Sequence, residues 1–170
     1  MRDIEQRTPP ELTHIDSDGR LRMVDVSEKE VTEREARAEA TVCMARSTLE
    51  RIGQGAIPKG NVYEAARLAG IVAAKRTWEL IPLCHSLQLT GIEVDFLTDP
   101  EKSEIKIVSR VRTRDRTGVE MEALVAVSNA ALTIYDMCKA IDREMKICEV
   151  QLIYKSGGRS GTFQRDGGCK

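Results

Sequence analysis

The residues best suited to chemistry are charged side chains set in two otherwise apolar stretches. Asp136 and Lys139 lie in the first, the mostly apolar run 131–139. They are three residues apart, so on a helix they share a face and can pair. A lysine held beside a carboxylate in a dry cleft can exchange protons. The pair predicts a site for acid/base catalysis, although an ordinary surface salt bridge has the same spacing.

The second stretch, 75–85, ends at His85, one of only two histidines. The histidine follows Pro82, which ends a helix, so the ring lies where the chain turns. Its titration near neutral pH suits proton transfer, but a lone histidine is often structural. Cys84 beside it is a metal-ligand type, yet no further Cys or His lies at ligand spacing. We therefore expect Cys84 to pack rather than to bind zinc.

Two acidic residues, Glu120 and Glu122, stand at the entry to the last predicted helix. In an extended lead-in they would project together, one to orient a lysine and one to bind donor groups such as a guanine edge. Alternatively, as negative charges at a helix N-terminus they would stabilise the helix through its macrodipole. Lys75 lies near the C-terminal end of an earlier helix, where a positive charge interacts favourably with the macrodipole. Both interpretations stay open from the residues alone.

Two further basic residues lie in glycine-containing segments. Lys59, between Pro58 and Gly60, lies in a loop that enters a helix, so its position is restricted and suits a ligand contact. Lys155 begins the segment 155–161, whose glycine-rich backbone offers donors that could fold over phosphates. The segment lacks the order of a Walker A loop, and a disordered terminus is the alternative.

The strands that must position these residues follow from a period of two. Apolar and polar residues alternate over 34–44, which predicts a half-buried strand whose small alanines let helices approach closely. Two more alternating runs, 92–96 and 105–112, predict an antiparallel hairpin. A final strand is predicted over 146–154.

The helices follow from a period near 3.6. They are predicted over 47–52, 61–78 and 118–141, and Asn61 with Glu64 is typical of a capping box. The last helix is so apolar that it must be buried on most sides or lie at a subunit contact. The order β-α-α-β-β-α-β predicts an α+β, ferredoxin-like sandwich with an antiparallel sheet and one helical layer.

Composition limits the classes of protein. With 170 residues and 41% hydrophobic residues, the chain fits a flexible segment 1–19, one catalytic domain 20–155 and a mobile Gly/Ser-rich tail 156–170. The net charge of -1 gives no broad field for nucleic acid or an anionic membrane. Five cysteines without a CxxC pair, and no apolar leader or membrane span, predict a cytoplasmic protein with reduced thiols.

Together these segments carry a much more specific resemblance. The strings at 32–38, 73–85 (ending KRTWELIPLCH), 117–124 (TGVEMEAL), 132–140 (LTIYDMCKA) and 155–158 (KSGG) closely resemble the molybdenum cofactor biosynthesis protein C family. The likeness runs from about residue 12 to 163, and Ser86 stands where the family pattern has proline. It implies a lyase that converts 3′,8-cyclo-7,8-dihydroguanosine triphosphate to cyclic pyranopterin monophosphate and diphosphate.

The resemblance also implies roles for individual residues. Asp136 would be the general acid/base, with Lys59 and Lys139 also catalytic. Eight substrate-binding residues are implied: Leu83, Cys84, His85, Glu120, Met121, Glu122, Lys75 and Lys155. Within that set, the two lysines would meet the triphosphate. Arg34 and Asp25 also match family positions.

The resemblance further implies an assembly. Members form homohexamers, trimers of dimers, with sites at dimer interfaces that draw residues from two chains. No cofactor is required, although Mg²⁺ is compatible with the diphosphate. Two rivals remain from the residues alone: a ferredoxin-like module that senses a purine nucleotide without turnover, and an RNA-binding sandwich. The second has little support, since only Phe96 and Tyr154 place aromatic rings on predicted strands.

Overall fold

A computed structural model describes residues 18–166. Most of the predicted flexible segment 1–19 and the last four tail residues, which include Cys169, lie outside that range. Within it the helices and strands follow in the order β1 (Thr32–Cys43), α1 (Arg46–Gly53), α2 (Val62–Lys75), α3 (Thr77–Leu80), β2 (Leu89–Asp99), β3 (Glu104–Asp115), α4 (Glu120–Cys138), β4 (Lys146–Ser156) and β5 (Phe163–Gln164).

The strands form one antiparallel sheet in the order β2-β3-β1-β4-β5. The helices pack on one face of this sheet. This is the predicted ferredoxin-like α+β architecture, and the order of the seven predicted elements is confirmed. Two short elements were not predicted: α3, which follows a break in the second helix, and the edge strand β5.

The alternation in β1 decides which face is covered. Ala36, Ala38 and Ala40 are completely buried beneath the helices, as the sequence predicts. Their neighbours point to the open face, where the Glu35 carboxylate lies 2.7 Å from an Arg37 nitrogen and 2.6 Å from an Arg110 nitrogen. Charged pairs therefore occupy the open face, and small apolar residues let α4 approach the other face closely.

Side-chain hydrogen bonds mark the ends of α2. The side chain of Asn61 accepts a hydrogen bond from the Glu64 N–H at 3.2 Å, so the predicted cap is present. At the other end the Thr77 hydroxyl donates to the Ala74 carbonyl at 3.0 Å. The predicted helix 61–78 is divided into α2 and α3 at Arg76, whose backbone N–H donates to the Ala73 carbonyl three residues earlier at 3.0 Å.

The two long helices α2 and α4 run antiparallel and in close contact. The loop before α2 reaches the end of α4 through Lys59 and Asp136. Midway along, the Asn129 side-chain amide donates to the Ala69 carbonyl at 3.0 Å. Beside that bond Gly70 faces α4, where a Cβ atom would lie 2.9 Å from the Ala126 carbonyl oxygen. The helices therefore touch backbone to backbone at Gly70.

Gly70→Ala is expected to destabilise the fold by about 1–3 kcal/mol, because the added methyl group meets a backbone oxygen that cannot rotate away. This cost outweighs the ~1 kcal/mol that alanine gains over glycine in a helix. Urea unfolding measures the difference. Gly53→Ala is the matched control, since no atom lies within 4 Å of its Cβ position, and it should be neutral or stabilising. Equal stability of the two variants would contradict the close contact.

Candidate active site

Asp136 stands at the centre of a three-residue ionic cluster near the end of α4. Its two carboxylate oxygens lie 2.7 Å from the Lys59 Nζ and 2.7 Å from the Lys139 Nζ. Lys59 also donates to the Asp136 backbone carbonyl at 2.8 Å. The loop lysine and the helix pair, predicted separately, are thus brought together by the fold. We name this group the lysine cluster.

Hydrogen bonding sets the charge state of the lysine cluster. Bonds from Lys139 and then Lys59 lower the pKa of Asp136 to about 2. The same carboxylate raises the pKa of Lys139. At neutral pH the cluster therefore holds one carboxylate between two ammonium groups. Such an arrangement can accept a proton at the carboxylate and present two cations to an anionic ligand.

In the single chain the Asp136–Lys139 pair does not lie in a dry cleft. The side chains of Asp136, Lys59 and Lys139 are 55%, 48% and 53% exposed. The reason is helical geometry: buried neighbours such as Ile134 and Met137 lie on the core side of α4, whereas Asp136 lies on its outer side. A dry cleft here requires a second surface.

At the opposite end of α4 lies a cavity of ≈ 270 Å³. Its lining includes all six predicted substrate-binding residues of that region: Leu83, Cys84, His85, Glu120, Met121 and Glu122. We name it the carboxylate pocket. The His85 Nε2 lies 2.8 Å from the Val24 carbonyl oxygen, which fixes the ring and also holds the preceding segment over the pocket.

At Glu122 the effect of burial on the carboxyl pKa outweighs the effect of the helix N-terminus. It lies in the first turn of α4, where the macrodipole favours a charged carboxylate. Nevertheless burial, helped by the neighbouring charge of Glu120, raises the pKa of Glu122 from 4.5 to about 7. Burial, and then the charge of Glu122, also raises the pKa of the Cys84 thiol. The pocket therefore contains a carboxyl group that can give or take a proton near neutral pH.

This pKa predicts a stability effect. Between about pH 4.5 and 7 the folded protein retains the Glu122 proton that the unfolded chain has lost, so this group makes stability fall as pH rises. Glu122→Gln stays neutral, so its melting temperature should exceed that of the wild type at pH 8 and approach it at pH 4.5. The exposed Glu79→Gln is the control and should follow the wild type. A Glu122→Gln variant that melts below the wild type at pH 8 would contradict the buried, protonated state.

The two remaining predicted substrate lysines lie outside the carboxylate pocket. Lys75 is exposed at the C-terminal end of α2, and its cap residue Arg76 leads towards α3. Lys155 lies on β4 opposite Ala36, and its ammonium contacts the Ser160 hydroxyl. Neither lysine therefore contributes to the cavity wall that the single chain forms.

The sequence reasoning missed one wall of the pocket. Val24, Val26 and Lys29 line it, from a segment without regular secondary structure. The turn is built locally, because the Asp25 carboxylate accepts from the Ser27 N–H at 2.8 Å and from its hydroxyl. The alternation of two valines with polar residues at 24–27 was the available signal, since it indicates an extended segment with one buried side.

The lysine cluster and the carboxylate pocket lie at opposite ends of one helix. From Glu120 to Asp136 the distance along α4 is about 24 Å at a rise of about 1.5 Å per residue. The single chain therefore does not bring the predicted catalytic and base-binding residues together. The Glu120 and Glu122 pair also lies within the first helical turn and not in an extended lead-in.

Across residues 18–166, no group of three or more His, Cys, Asp or Glu side chains is placed to hold a metal ion. Over the same residues, no helix combines the length and apolar character needed to cross a membrane.

The strand order and the one-sided helical layer define a ferredoxin-like α+β protein with ionisable residues at both ends of its longest helix. Comparison with known proteins is more specific. Residues 23–158 match the MoaC family. The chain belongs to this family.

Relatives similar to the chain share one name, cyclic pyranopterin monophosphate synthase. The one from Pelotomaculum thermopropionicum is 61% identical and covers 92% of each chain. The one from Desulfatibacillum aliphaticivorans is 54% identical over 92% of this chain and 99% of its own. The one from Clostridium acetobutylicum is also 54% identical, over 91% and 96%. The likeness thus extends over nearly the full length of every protein compared.

Proposed function

We propose that the chain is a cyclic pyranopterin monophosphate synthase, a lyase that converts 3′,8-cyclo-7,8-dihydroguanosine triphosphate to cyclic pyranopterin monophosphate and diphosphate. The observation that carries the proposal is the 61% identity, over 92% of both chains, to a relative of that name. The geometry supports it, since the reaction needs proton transfers on a nitrogen-rich ring system and cations for a departing diphosphate. Both kinds of group are present.

The lysine cluster supplies the acid/base chemistry in this proposal. Because its pKa is about 2, Asp136 is ionised at neutral pH, and its carboxylate becomes a proton acceptor when the substrate draws the two ammonium groups away and that pKa rises. Lys59 and Lys139 lie within 2.7 Å of it and pass protons or stabilise negative charge on phosphate and sugar oxygens.

The carboxylate pocket holds the base of the substrate. Glu122 and Met121 contact its ring, and the carboxylate accepts hydrogen bonds from ring N–H donors. His85 lines the same cavity with Leu83 and Cys84. We further propose that Glu120 positions a cationic partner, and that Lys75 and Lys155 meet the triphosphate.

A complete site requires a second copy of the chain. The lysine cluster is exposed, and in the single chain it lies about 24 Å along α4 from the carboxylate pocket. Two α4 helices packed antiparallel about a two-fold axis would bring the pocket of one chain to the lysine cluster of its partner. Each site would then contain residues of both chains.

The outer face of α4 suits such a contact. Met121, Val125, Ser128 and Leu132 follow one another along it, and Leu132 is 57% exposed. On the adjacent α2, Leu68 and Val72 are also exposed. An apolar stripe that joins the two halves of the site gains from burial against a neighbour. We propose a homohexamer built as a trimer of such dimers.

The proposal includes three further expectations. The reaction requires no bound cofactor, and Mg²⁺ is compatible with the departing diphosphate. The protein acts in the cytoplasm. It does not bind RNA, because Phe96 packs on Tyr63 with ring centroids 5.2 Å apart and Tyr154 lies under Arg37, so neither ring is free to stack on a base.

Turnover of enzymatically prepared 3′,8-cyclo-7,8-dihydroguanosine triphosphate tests the function. Diphosphate release and pterin fluorescence should both appear with the purified protein. Guanosine triphosphate is the control, since it lacks the additional bond between the sugar C3′ and the base C8 and should yield neither product. Tight binding of the cyclised nucleotide without either product would favour a nucleotide-sensing module instead.

A further inference from the structure

Arg34 lies where the sheet alternation would place an apolar residue. It continues the row of Ala36, Ala38 and Ala40 on the face of β1 that the helices cover. Among residues 18–166 no carboxylate lies within ion-pair distance of it. Its guanidinium instead donates to two backbone carbonyls, from Nε to Asp115 at 2.9 Å and from Nη2 to Arg116 at 2.9 Å. The charged Arg34 side chain therefore binds the backbone at Asp115 and Arg116 instead of a carboxylate.

The backbone that Arg34 holds leads directly into the carboxylate pocket. Asp115 ends β3, and after Arg116 the next two residues, Thr117 and Gly118, line the cavity. Gly118 lies against the Glu120 carboxylate, whose oxygen would be 1.9 Å from a Cβ atom there. A shift of this loop would therefore move both the wall of the pocket and the first acidic residue of α4.

On its other side Arg34 is enclosed by the turn after β4. Gly157 and Gly158 both have positive φ, 94° and 71°, which glycine adopts without strain. A Cβ atom on Gly158 would lie 2.2 Å from Arg34 Nη1, and one on Gly157 would lie 2.3 Å from the Glu33 carbonyl oxygen. The turn therefore closes around the guanidinium, and Lys155 stands two residues before it.

We propose that Arg34 is a positioning residue that fixes the pocket loop 115–118 relative to the glycine turn 157–158. This proposal rests on the proposed function. A planar guanidinium can donate to two carbonyls at once and still pack against a turn, whereas lysine offers a single flexible point of charge. Arg34 thereby sets the distance between the base-binding pocket and Lys155.

Arg34→Ala and Arg34→Lys test the proposal in the assembled enzyme. We expect kcat/KM to fall ~10–100-fold in both, as misplacement by about 1 Å does elsewhere. Millimolar guanidinium should restore a several-fold part of the loss in Arg34→Ala, because the free ion can occupy the same two carbonyls. Arg112→Ala, which removes the surface pair with Glu93 at 2.6 Å, is the control. It should retain wild-type turnover and show no response to guanidinium.

Gly158→Ala gives a second measure, since it crowds Arg34 and strains the turn at φ 71° without removing the guanidinium. It should lower kcat/KM in the same direction and should not respond to guanidinium. If Arg34→Ala fails to fold, Gly158→Ala with full activity overturns the proposal by itself. Wild-type kcat/KM in Arg34→Ala, or a loss that guanidinium leaves unchanged, overturns it also. Absence of turnover in the wild-type protein would overturn the proposed function. The variants test only the role of Arg34.

Discussion

Asp136→Asn is expected to lower kcat by ~10²–10⁴-fold, the range that a positioned acid/base group contributes. Asparagine keeps the shape of the side chain and one acceptor oxygen, but it cannot take a proton at neutral pH. It also removes the charge that holds Lys59 and Lys139 at 2.7 Å. Initial rates of diphosphate release, with the oligomeric state checked by sedimentation, measure the effect.

Controls separate chemistry from charge loss. Asp95→Asn removes an exposed carboxylate on β2 that pairs with Arg67 of α2 at 3.0 Å. This variant should leave kcat unchanged. Lys59→Ala and Lys139→Ala should reduce turnover by orders of magnitude while the protein stays folded, since exposed ion pairs contribute little to stability. Full activity in Asp136→Asn would remove Asp136 from the chemistry, and unfolded lysine variants would make those residues structural.

Much of the fold could be predicted because single residues have strong local preferences. The row Ala36, Ala38 and Ala40 is buried as its period of two requires. Asn61 caps α2 through its own side chain. Once such signals fix the order of elements, antiparallel neighbours and a one-sided helical layer leave few topologies. The ferredoxin-like arrangement therefore follows without knowledge of distant contacts.

What could not be predicted depends on geometry between distant segments or on weak local signals. The break at Arg76, where the backbone N–H bonds to the carbonyl of Ala73 three residues earlier, carries no Gly or Pro signal. The pocket wall at Lys29 has no helix or strand to mark it. The spacing of Asp136 and Lys139 indicated a pair but not that the pair would be exposed. Exposure depends on which side of α4 faces the sheet, which local sequence does not specify.

The lysine cluster and the carboxylate pocket are about 24 Å apart along α4, at about 1.5 Å per residue. If each site is shared between two chains, two inactive variants with substitutions at opposite ends of α4 should restore activity when they are mixed. Asp136→Asn damages the lysine cluster, and Glu122→Gln damages the carboxylate pocket. Each variant alone is expected to be nearly inactive. Co-expressed with different affinity tags and purified as mixed oligomers, the two should regain activity. In a two-fold dimer that contains one chain of each, one of the two shared sites has no substitution.

Random mixing should restore about a quarter of the sites, since about half of the dimers are mixed and half of their sites are intact. Asp136→Asn mixed with Lys139→Ala is the matched control. Both substitutions lie at the same end of α4, so every shared site carries one of them and activity should stay low. The contrast between the two mixtures is measured as diphosphate release per chain. Equal, low activity in both would place each site within a single chain and refute the composite arrangement, because only a site shared between chains allows one damaged end to be replaced by its partner's intact end.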